Sequence, residues 1–263
     1  MTCSFRKIGV YAPLVAVVVA IAAPMAAAAV TDTFTGTTIA PYWTVLADDP
    51  ATLSLEQNDQ LNVLATGPGS ASNDAIYLSN GPAGFRLKTD GDFLITIDYA
   101  VTSFTGTGSI ALDLGVGKDL DGQDSAAIGF MCSSNPLFNQ GLGAAYRIND
   151  VETSVPINYV PASGTLLVQY EAATDTLTLG LNDANEFHRV GVANLVRDTW
   201  DAESLWVSFG ARGQGLVFSG GNATLDNLNI VGHISEIPEP TTLALILTGG
   251  FLAIVNRRRR RSG

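Results

Sequence analysis

Apolar and polar side chains alternate along several segments of this 263-residue chain. In the clearest segment, Phe93, Ile95, Ile97 and Tyr99 point one way, while the residues between them point the other way. Because successive side chains of a strand face opposite sides, this period of two predicts a strand with one buried face. No stretch keeps the 3.6-residue period of a helix over about three turns. The alternation therefore indicates an all-β protein.

The same pattern predicts further strands over 53–55, 61–63, 76–78, 110–116, 166–170, 177–181 and 205–209. The segment from Glu171 to Asp175 separates two of these strands and predicts a hairpin. Strands of about 5–10 residues with Gly, Asn and Asp between them are typical of an antiparallel β-sandwich or barrel. The sequence shows neither a repeat nor a linker within 30–234, so we expect one β-sandwich domain there.

The net charge of −11 is unevenly distributed along the chain. All 25 acidic residues lie between Asp32 and Glu239, whereas seven of the 14 basic residues lie outside that span. A domain with this excess of negative charge repels phosphate backbones, which excludes nucleic acid as a partner. At 46% hydrophobic and 15% charged residues, the chain is also not a disordered one.

The N-terminus has the three parts of a secretory signal. Arg6 and Lys7 supply the positive start, an apolar stretch runs from Leu14 to Ala23, and a run of alanines ends at Ala29. We expect residues 1–29 to be a signal peptide that engages the secretion machinery, with signal peptidase cutting after Ala28 or Ala29. Of the two cysteines, Cys3 then falls in the removed segment, so no intrachain disulfide is expected. Cys132 is predicted to be a small buried hydrophobic residue.

The C-terminus combines three features in a fixed order. The tripeptide Pro238-Glu239-Pro240 comes first, an apolar run from Leu243 to Val255 follows, and a cluster of five arginines, Arg257, Arg258, Arg259, Arg260 and Arg261, comes last. The apolar run is shorter than the ~20 residues of a typical membrane-spanning helix, so it predicts a short transmembrane helix. The arginines predict that this end stays in the cytoplasm, because translocating such a cluster is costly.

These features resemble the PEP-CTERM sorting signal of Gram-negative bacteria. In that family a membrane-embedded cysteine protease, exosortase, recognises the motif and processes the protein near it. The resemblance covers residues 235–263, and Pro238, Glu239 and Pro240 match its signature tripeptide. It implies a protein that passes through the inner membrane to the outer surface or the extracellular matrix, in association with exopolysaccharide and biofilm. The alternative, a plain C-terminal anchor, explains the helix and the arginines but not the tripeptide.

Both ends of the central region carry a second resemblance. Thr31-Asp32-Thr33-Phe34 with Tyr42-Trp43, and the segment from Ala223 to Ile230, are similar to the opening and closing strands of concanavalin A-like lectin/glucanase jelly rolls. That fold implies two stacked antiparallel sheets in which the first and last strands lie side by side. The expected fold is therefore an all-β jelly roll between a signal peptide and a short C-terminal transmembrane helix.

The sequence offers no catalytic site. Glucanases of this fold carry acidic residues at alternate positions of one strand, and no such run occurs here. The chain has no Gly-x-Ser-x-Gly motif for serine hydrolase chemistry, and only His188 and His233 are available as a base. The chain also has no cluster of His and Cys with zinc-ligand spacing. We expect a protein that is not an enzyme and needs no cofactor, with calcium as the one exception to consider.

The candidate calcium site is the segment Lys118-Asp119-Leu120-Asp121-Gly122-Gln123-Asp124. The carboxylates of Asp119, Asp121 and Asp124, with a glycine for a sharp turn, can converge on a hard cation that prefers oxygen ligands. The spacing departs from an EF-hand loop, because no glutamate closes it. The competing interpretation is a plain Asp-Gly turn between a strand that ends near Val116 and one that begins near Ala126.

Aromatic side chains suggest where a sugar would bind. Trp206 lies on the face opposite Leu205, Val207 and Phe209, so its flat ring is a candidate for stacking on a pyranose. Packing in the core is the competing interpretation for Trp206, as it is for the other candidates, which are Trp43, Trp200, Tyr146 and Tyr159.

Three functions remain open from the sequence. The first is an exported, non-catalytic surface or matrix protein that is sorted by exosortase. The second, compatible with the first, is a lectin-like carbohydrate-binding module on the concave face of a jelly roll. The third is a glycan hydrolase whose active site is too dispersed in the sequence to recognise.

Overall fold

The computed structural model describes residues 28–67, 74–80, 84–118, 123–135, 142–149, 151–155, 162–182 and 187–235. The predicted signal peptide up to residue 27 and the predicted sorting signal from residue 236 lie outside these ranges, as do Asp119 and Asp121 of the candidate calcium loop. Within the ranges that are described, no helix is long and apolar enough to cross a membrane.

The described residues form sixteen strands and one short helix. In chain order the elements are β1 (Ala28–Asp32), β2 (Thr44–Ala47), β3 (Leu53–Gln57), β4 (Leu61–Thr66), β5 (Asp74–Ser79), β6 (Leu87–Lys88), β7 (Phe93–Val101), β8 (Thr105–Gly117), β9 (Ser125–Ser133), β10 (Leu142–Ile148), β11 (Val151–Val155), β12 (Ser163–Glu171), β13 (Thr176–Asn182), β14 (Phe187–Asn194), α1 (Val196–Trp200), β15 (Ser204–Phe218) and β16 (Ala223–Gly232).

The strands form two antiparallel layers. The first layer has the order β11-β10-β9-β8-β15-β5-β2, and β6 adds a short pairing to β15. The second layer has the order β4-β16-β7-β12-β13-β14, with β3 beside β4 and β1 beside β16. Strand β4 bonds to both β15 and β16, so it joins the layers. Strands β12 and β13 pack across the core against β8 and β9.

The apolar positions of the alternating sequence pattern are the buried positions of the strands. In β7, every second residue from Phe93 to Val101 is buried, and the residues between them are half-buried. These apolar faces, together with those of β8, β12, β13 and β15, enclose one continuous core. The prediction of an all-β antiparallel sandwich is confirmed. The hydrophobic side chains of the two layers pack against each other in this core and are thereby removed from water. Cys132, also predicted to be buried, lies in this core, and burial raises the pKa of its thiol to about 12.

The first and last strands lie side by side, as the jelly-roll resemblance implies. Strand β1 pairs with β16 in a register that sets Ala28 opposite Gly232 and Asp32 opposite Leu228. The carboxylate of Asp32 accepts a bond from the backbone N–H of Phe34 at 2.8 Å and from Nε1 of Trp43 at 2.9 Å. Asp32 thus holds the turn after β1 and orients the buried Trp43.

The predicted hairpin and strands are also confirmed. The hairpin through Glu171–Asp175 joins β12 to β13 in register from Glu171↔Thr176 to Thr165↔Asn182. The strands expected on either side of the candidate calcium loop are present, since β8 ends at Gly117 and β9 begins at Ser125. All seven additional segments in which the sequence pattern predicted strands lie within strands of the structure.

Candidate functional site

The face of the first layer that points away from the core carries the candidate site, and we call it the outer face. One row of residues crosses it in register: Tyr77 of β5, Gly210 of β15, Asp113 of β8, Gly129 of β9 and Ala145 of β10. The carboxylate of Asp113 therefore lies on the sheet between two glycines. Neither neighbour has a side chain, and the carboxylate extends into the space above one of them, Gly129.

Small residues beside Asp113 form the floor of a recess in the outer face, and they are Gly115, Gly117, Ser125 and Ala127. Taller side chains surround this floor: Tyr77, Arg147 and Trp206 border a recess with room of about 80 Å³ above Asp113. One ordered water needs ~10–15 Å³ of such space, so the recess accepts several waters or the edge of a sugar ring. We call this site the Asp113 recess.

Asp113 is a buried charge with protein partners. It is only 5% exposed, so its ionised form needs compensation by hydrogen bonds or opposite charge. The hydroxyl of Tyr77 donates to Oδ2 of Asp113 over 3.0 Å, and Nε of Arg212 lies 3.6 Å from the same oxygen. Arg212 also lines a second, smaller cavity, together with Asp113 and Arg147.

Burial, followed by the negative charge of Asp113, raises the pKa of Tyr77 well above its ordinary value. The positive charges of Arg147 and Arg212 oppose this shift but do not cancel it. The phenol therefore stays protonated at physiological pH and remains a hydrogen-bond donor to Asp113. This places Tyr77, Asp113, Arg147 and Arg212 within one electrostatic network.

Gly129 is required for this arrangement. A Cβ atom at Gly129 would overlap Oδ1 of Asp113. The glycine across the ladder from Asp113 thus makes the space that the carboxylate occupies. Any larger residue there would push the carboxylate out of its position below Tyr77.

Trp206 borders the recess, as expected from its place on the outer face, but one side of its ring is already covered. The guanidinium carbon of Arg86 lies 3.6 Å from the ring centroid, which is a cation–π contact. Nη2 of Arg86 also donates to the backbone oxygen of Lys118 over 3.3 Å, and burial lowers the pKa of Arg86 to about 10. A sugar that stacks on Trp206 must therefore use the part of the ring turned to the recess.

Three of the other four aromatic candidates pack in or against the core, as the competing interpretation predicted. Trp43 and Trp200 are buried in the core, and Tyr146 is half-buried and packs against it. Tyr159 lies outside the described residues. Among the tryptophans considered in the sequence, Trp206 alone borders the recess.

The candidate calcium loop is described only at its ends. Lys118 and Asp124 contact each other at the two ends of the loop: the backbone N–H of Lys118 donates to the backbone oxygen of Asp124 over 2.8 Å, and Nζ of Lys118 lies 3.9 Å from Oδ2 of Asp124. In the part of the chain that the structure describes, no three His, Cys, Asp or Glu side chains are grouped to hold a metal ion. Asp119 and Asp121 lie outside that part, so calcium binding by this loop stays a prediction.

The two histidines lie away from the Asp113 recess. Nδ1 of His233 is 2.6 Å from Oδ1 of Asp90, in an exposed pair near the end of the described chain. His188 lies on β14, at the far edge of the second layer. Neither histidine lines the recess.

Sequence reasoning found Trp206 but missed Tyr77, Asp113, Arg147 and Arg212. The alternation in β8 places Asp113 on the face away from the core, and larger side chains bury it there. One signal was present: residues 111–117 alternate Ala, Asp and Gly with large apolar residues, a spacing that leaves the polar face of a central strand almost without side chains. Arg147 and Arg212 follow Asp113 in the sequence by 34 and 99 residues. Only the order of the strands in the sheet brings these arginines close to Asp113.

Comparison with known proteins adds information on the fold. No protein-family model matches the sequence, and no curated protein matches it either. Among solved structures, winged bean acidic lectin in complex with methyl-α-D-galactose gives a TM-score of 0.52 at 10% identity, over 80% of this chain and 100% of that one. Peanut lectin with a nine-residue peptide gives 0.51 at 14% identity, over 80% of this chain and 99% of that one.

A third match has the same extent. Basic winged bean lectin with Tn-antigen gives a TM-score of 0.51 at 10% identity, over 80% of this chain and 100% of that one. These identities support a common fold and nothing finer. The described residues therefore adopt the legume-lectin-like jelly-roll fold.

Proposed function

We propose that this chain is an exported cell-surface or extracellular-matrix protein, sorted by exosortase, whose jelly roll binds a carbohydrate in the Asp113 recess without catalysis. The observation that carries the binding part is the recess itself: a buried, partnered carboxylate on a floor of small residues, bordered by the rings of Tyr77 and Trp206 and by Arg147. Lectins of the same fold, whose solved complexes include methyl-α-D-galactose and Tn-antigen, support a carbohydrate as the ligand class.

The chemistry of the recess suits the edge of a sugar ring. Sugar hydroxyls both donate and accept hydrogen bonds, and the recess offers the Asp113 carboxylate as an acceptor and the Arg147 guanidinium as a donor. The bond from Tyr77 holds the Asp113 carboxylate in a fixed orientation before a ligand arrives. The exposed part of Trp206 supplies an apolar surface for the C–H side of the ring. A pre-organised site of this kind loses little entropy on binding.

The same site argues against hydrolysis. Retaining and inverting glycosidases need two carboxyl groups on either side of the scissile bond, about 5–5.5 or 6.5–9.5 Å apart. Of the described residues that line the recess, Asp113 alone carries a carboxylate. Asp113 is also buried and held by Tyr77, which leaves it poorly placed to exchange a proton with a substrate.

The pairing of β1 with β16 supports the export part of the proposal. Ala28 lies opposite Gly232, so the predicted signal peptide and the predicted sorting signal are attached at the same edge of the domain. Both hydrophobic segments can then lie in one membrane while the domain folds on the far side. In this proposal, exosortase processes the chain near Pro238, Glu239 and Pro240, and the protein then joins the surface or the matrix.

A glycan array with the full-length chain in detergent tests the binding part. Wild type should bind at least one class of glycan, and Ala127→Leu, which fills the recess from its floor, should lower the affinity at least tenfold. Ala100→Leu is the matched control, because Ala100 is a half-buried strand residue on the second layer, away from the recess. It should bind as wild type does.

Two results would contradict the proposal. If no glycan binds, or if Ala127→Leu binds as tightly as wild type, the Asp113 recess is not a carbohydrate site. If a bound polysaccharide is cleaved on incubation and Asp113→Asn abolishes the cleavage, the recess is a hydrolase site.

A further inference from the structure

The last described residues of the chain pair with the first layer, although β16 before them belongs to the second. After β16 the chain crosses to β6 and runs antiparallel to it, with Ile234 opposite Leu87. The backbone N–H of Lys88 donates to the backbone oxygen of His233 over 2.8 Å, and Ile234 is buried in the core. Residues 233–235 thus lie along the side of β6 that faces away from β15, and we call them the strap.

Arg86, the residue just before β6, joins the strap to the Asp113 recess. The N–H of Ser235 donates to the backbone oxygen of Arg86 over 2.8 Å, and the N–H of Arg86 donates to Oγ of Ser235 over 2.6 Å. On the other side of β6, Leu87 lies opposite Leu205 of β15, so Arg86 lies across from Trp206. Ser235, Arg86 and Trp206 therefore follow one another across three neighbouring segments of the sheet.

The side chain of Arg86 is held over Trp206 by weak contacts. Its guanidinium carbon lies 3.6 Å from the ring centroid, Nε donates to Oγ of Ser204 over 3.4 Å, and Nη2 donates to the backbone oxygen of Lys118 over 3.3 Å. Both hydrogen bonds are longer than the usual range of about 2.7–3.2 Å. A cation–π contact at a half-buried site stabilises by about as much as an ordered arginine loses in rotamer entropy. The side chain therefore stays over the ring only while the backbone of Arg86 is fixed.

The strap supplies this fixed backbone. Both the N–H and the backbone oxygen of Arg86 have Ser235 as a partner. Without the strap, Arg86 is an end residue beyond a strand of two residues, and such ends open readily. Strand β6 itself stays in place, because it pairs with β15 and Nδ2 of Asn80 donates to the backbone oxygen of Phe85 over 2.7 Å. Release of the strap thus acts locally, on Arg86.

We propose that the strap controls how much of Trp206 is open to a ligand: while it pairs with β6, Arg86 covers one face of the ring, and when it leaves β6, Arg86 moves away and that face opens. Residues 236–237 alone separate Ser235 from the predicted sorting tripeptide, so a pull on the tripeptide reaches the strap first. The consequence for binding rests on the carbohydrate-binding function proposed above, because the opened face adds apolar surface on which a sugar ring can stack.

Quenching of tryptophan fluorescence by acrylamide tests this coupling without any glycan. The chain has three tryptophans, and Trp43 and Trp200 are only 5% and 2% exposed, so this neutral quencher reaches mainly Trp206. Ser235→Pro removes both the N–H and the hydroxyl that bind Arg86. In the full-length chain in detergent, we expect this variant to raise the quenching constant at least twofold. Ser235→Thr keeps both groups, so it is the matched control and should be quenched as wild type is.

A second measurement follows the coupling in the opposite direction, since coupling between two sites is reciprocal. Arg86→Gln removes the guanidinium from Trp206 and leaves the backbone groups in place. We expect the N–H of Ser235 to exchange with deuterium at least threefold faster in this variant than in wild type. Lys88→Gln, which removes a neighbouring positive charge, is the control and should exchange as wild type does. This measurement decides the question even if Ser235→Pro fails to fold.

The outcomes separate this inference from the carbohydrate-binding proposal. If a folded Ser235→Pro is quenched as wild type is, or if Arg86→Gln leaves exchange at Ser235 unchanged, the strap does not control Trp206 and the inference is wrong, whatever the recess binds. If quenching and exchange both rise as expected while no glycan of a broad array binds, the coupling stands and the carbohydrate-binding function fails.

Discussion

Oδ1 of Asp175 accepts a hydrogen bond from the hydroxyl of Tyr170 at 2.7 Å and another from the backbone N–H of Arg197 at 2.8 Å. Oδ2 of the same residue accepts one from the N–H of Asp198 at 3.2 Å. A turn residue of the β12–β13 hairpin thus caps the first turn of α1, a role that the helix's own N-cap residue, Leu195, leaves unfilled. The hairpin and the segment before β15 are held together by this one buried carboxylate.

Replacing Asp175 should therefore destabilise the domain. We expect Asp175→Ala to lower the free energy of unfolding by about 2–4 kcal/mol, since three bonds to a buried, charged acceptor are lost. Asp175 also has a positive φ of 49°, which alanine tolerates poorly. Asp175→Asn is the matched control, because asparagine accepts that φ and keeps one acceptor oxygen; it should lose less. Urea unfolding at pH 7 measures both, and equal stability of the alanine variant and wild type would contradict this role.

The same residue predicts a pH dependence. Burial raises the pKa of Asp175, but the bonds from Arg197, Tyr170 and Asp198 outweigh burial and hold the pKa below its ordinary value. Stability from a lowered carboxyl pKa is fully present above the unfolded value near 4 and is lost as the pH falls through the folded value. Wild type should thus lose more stability than Asp175→Asn between pH 5 and pH 2. Parallel curves for the two proteins would show that Asp175 titrates normally.

Gly129→Ala should perturb the Asp113 recess without replacing any of its charged residues. The added methyl group overlaps Oδ1 of Asp113, so the carboxylate must move away from Tyr77. We expect a loss of about 1–3 kcal/mol in the free energy of unfolding, as for other overpacked sites, and weaker glycan binding. Gly220→Ala is the control, because a Cβ there meets nothing within 4 Å. Thermal unfolding compares them, and an unchanged Gly129→Ala melting temperature would place the carboxylate elsewhere.

Calcium binding by the loop around Asp121 is tested by stability. If Asp119, Asp121 and Asp124 bind Ca²⁺, the ion binds the folded state preferentially, so millimolar calcium should raise the melting temperature. Asp121→Ala should abolish that rise, and magnesium should give a smaller one. A melting curve that calcium leaves unchanged would establish the loop as a plain turn.

The sorting motif is tested by replacing Pro238, Glu239 and Pro240 with alanine. Export should continue, because the signal peptide and the arginine cluster are intact, but alanines favour helix over the extended backbone that two prolines impose. The uncut protein should then accumulate in the inner membrane, as cell fractionation and intact mass would show. If the triple variant matures and leaves the membrane as wild type does, the C-terminus is only an anchor.

Period-two alternation predicted eight of the strands and the sandwich, because burial of one face is a local property of each strand; it did not predict β2, β10, β11 or β14. The resemblance at Thr31–Phe34 and Tyr42-Trp43 has a physical basis in the bonds that Asp32 makes to Phe34 and Trp43. The candidate site was harder to predict. Alternation assigns Asp113 to the face away from the core, but its burial depends on side chains from three other strands.

Asp175 shows the same limit. The sequence places it in a hairpin turn, which is correct, but its amide partners lie more than twenty residues further on and contact it only in the folded chain. Local pattern predicts which face a residue occupies. Which distant side chains cover that residue is decided by the order of strands in the sheet, which alternation does not encode.

The position of β16 sets an order of events in time. This strand lies between β7 and β1, so the second layer has an open edge on each of these strands until residues near Gly232 are present. A chain that emerges from a ribosome or crosses a membrane N-terminus first supplies this strand last of all. The domain therefore has to remain unfinished, with unpaired strand edges that favour aggregation, throughout its synthesis or translocation. The second layer can be completed only after β16 has reached the compartment that holds the rest of the domain.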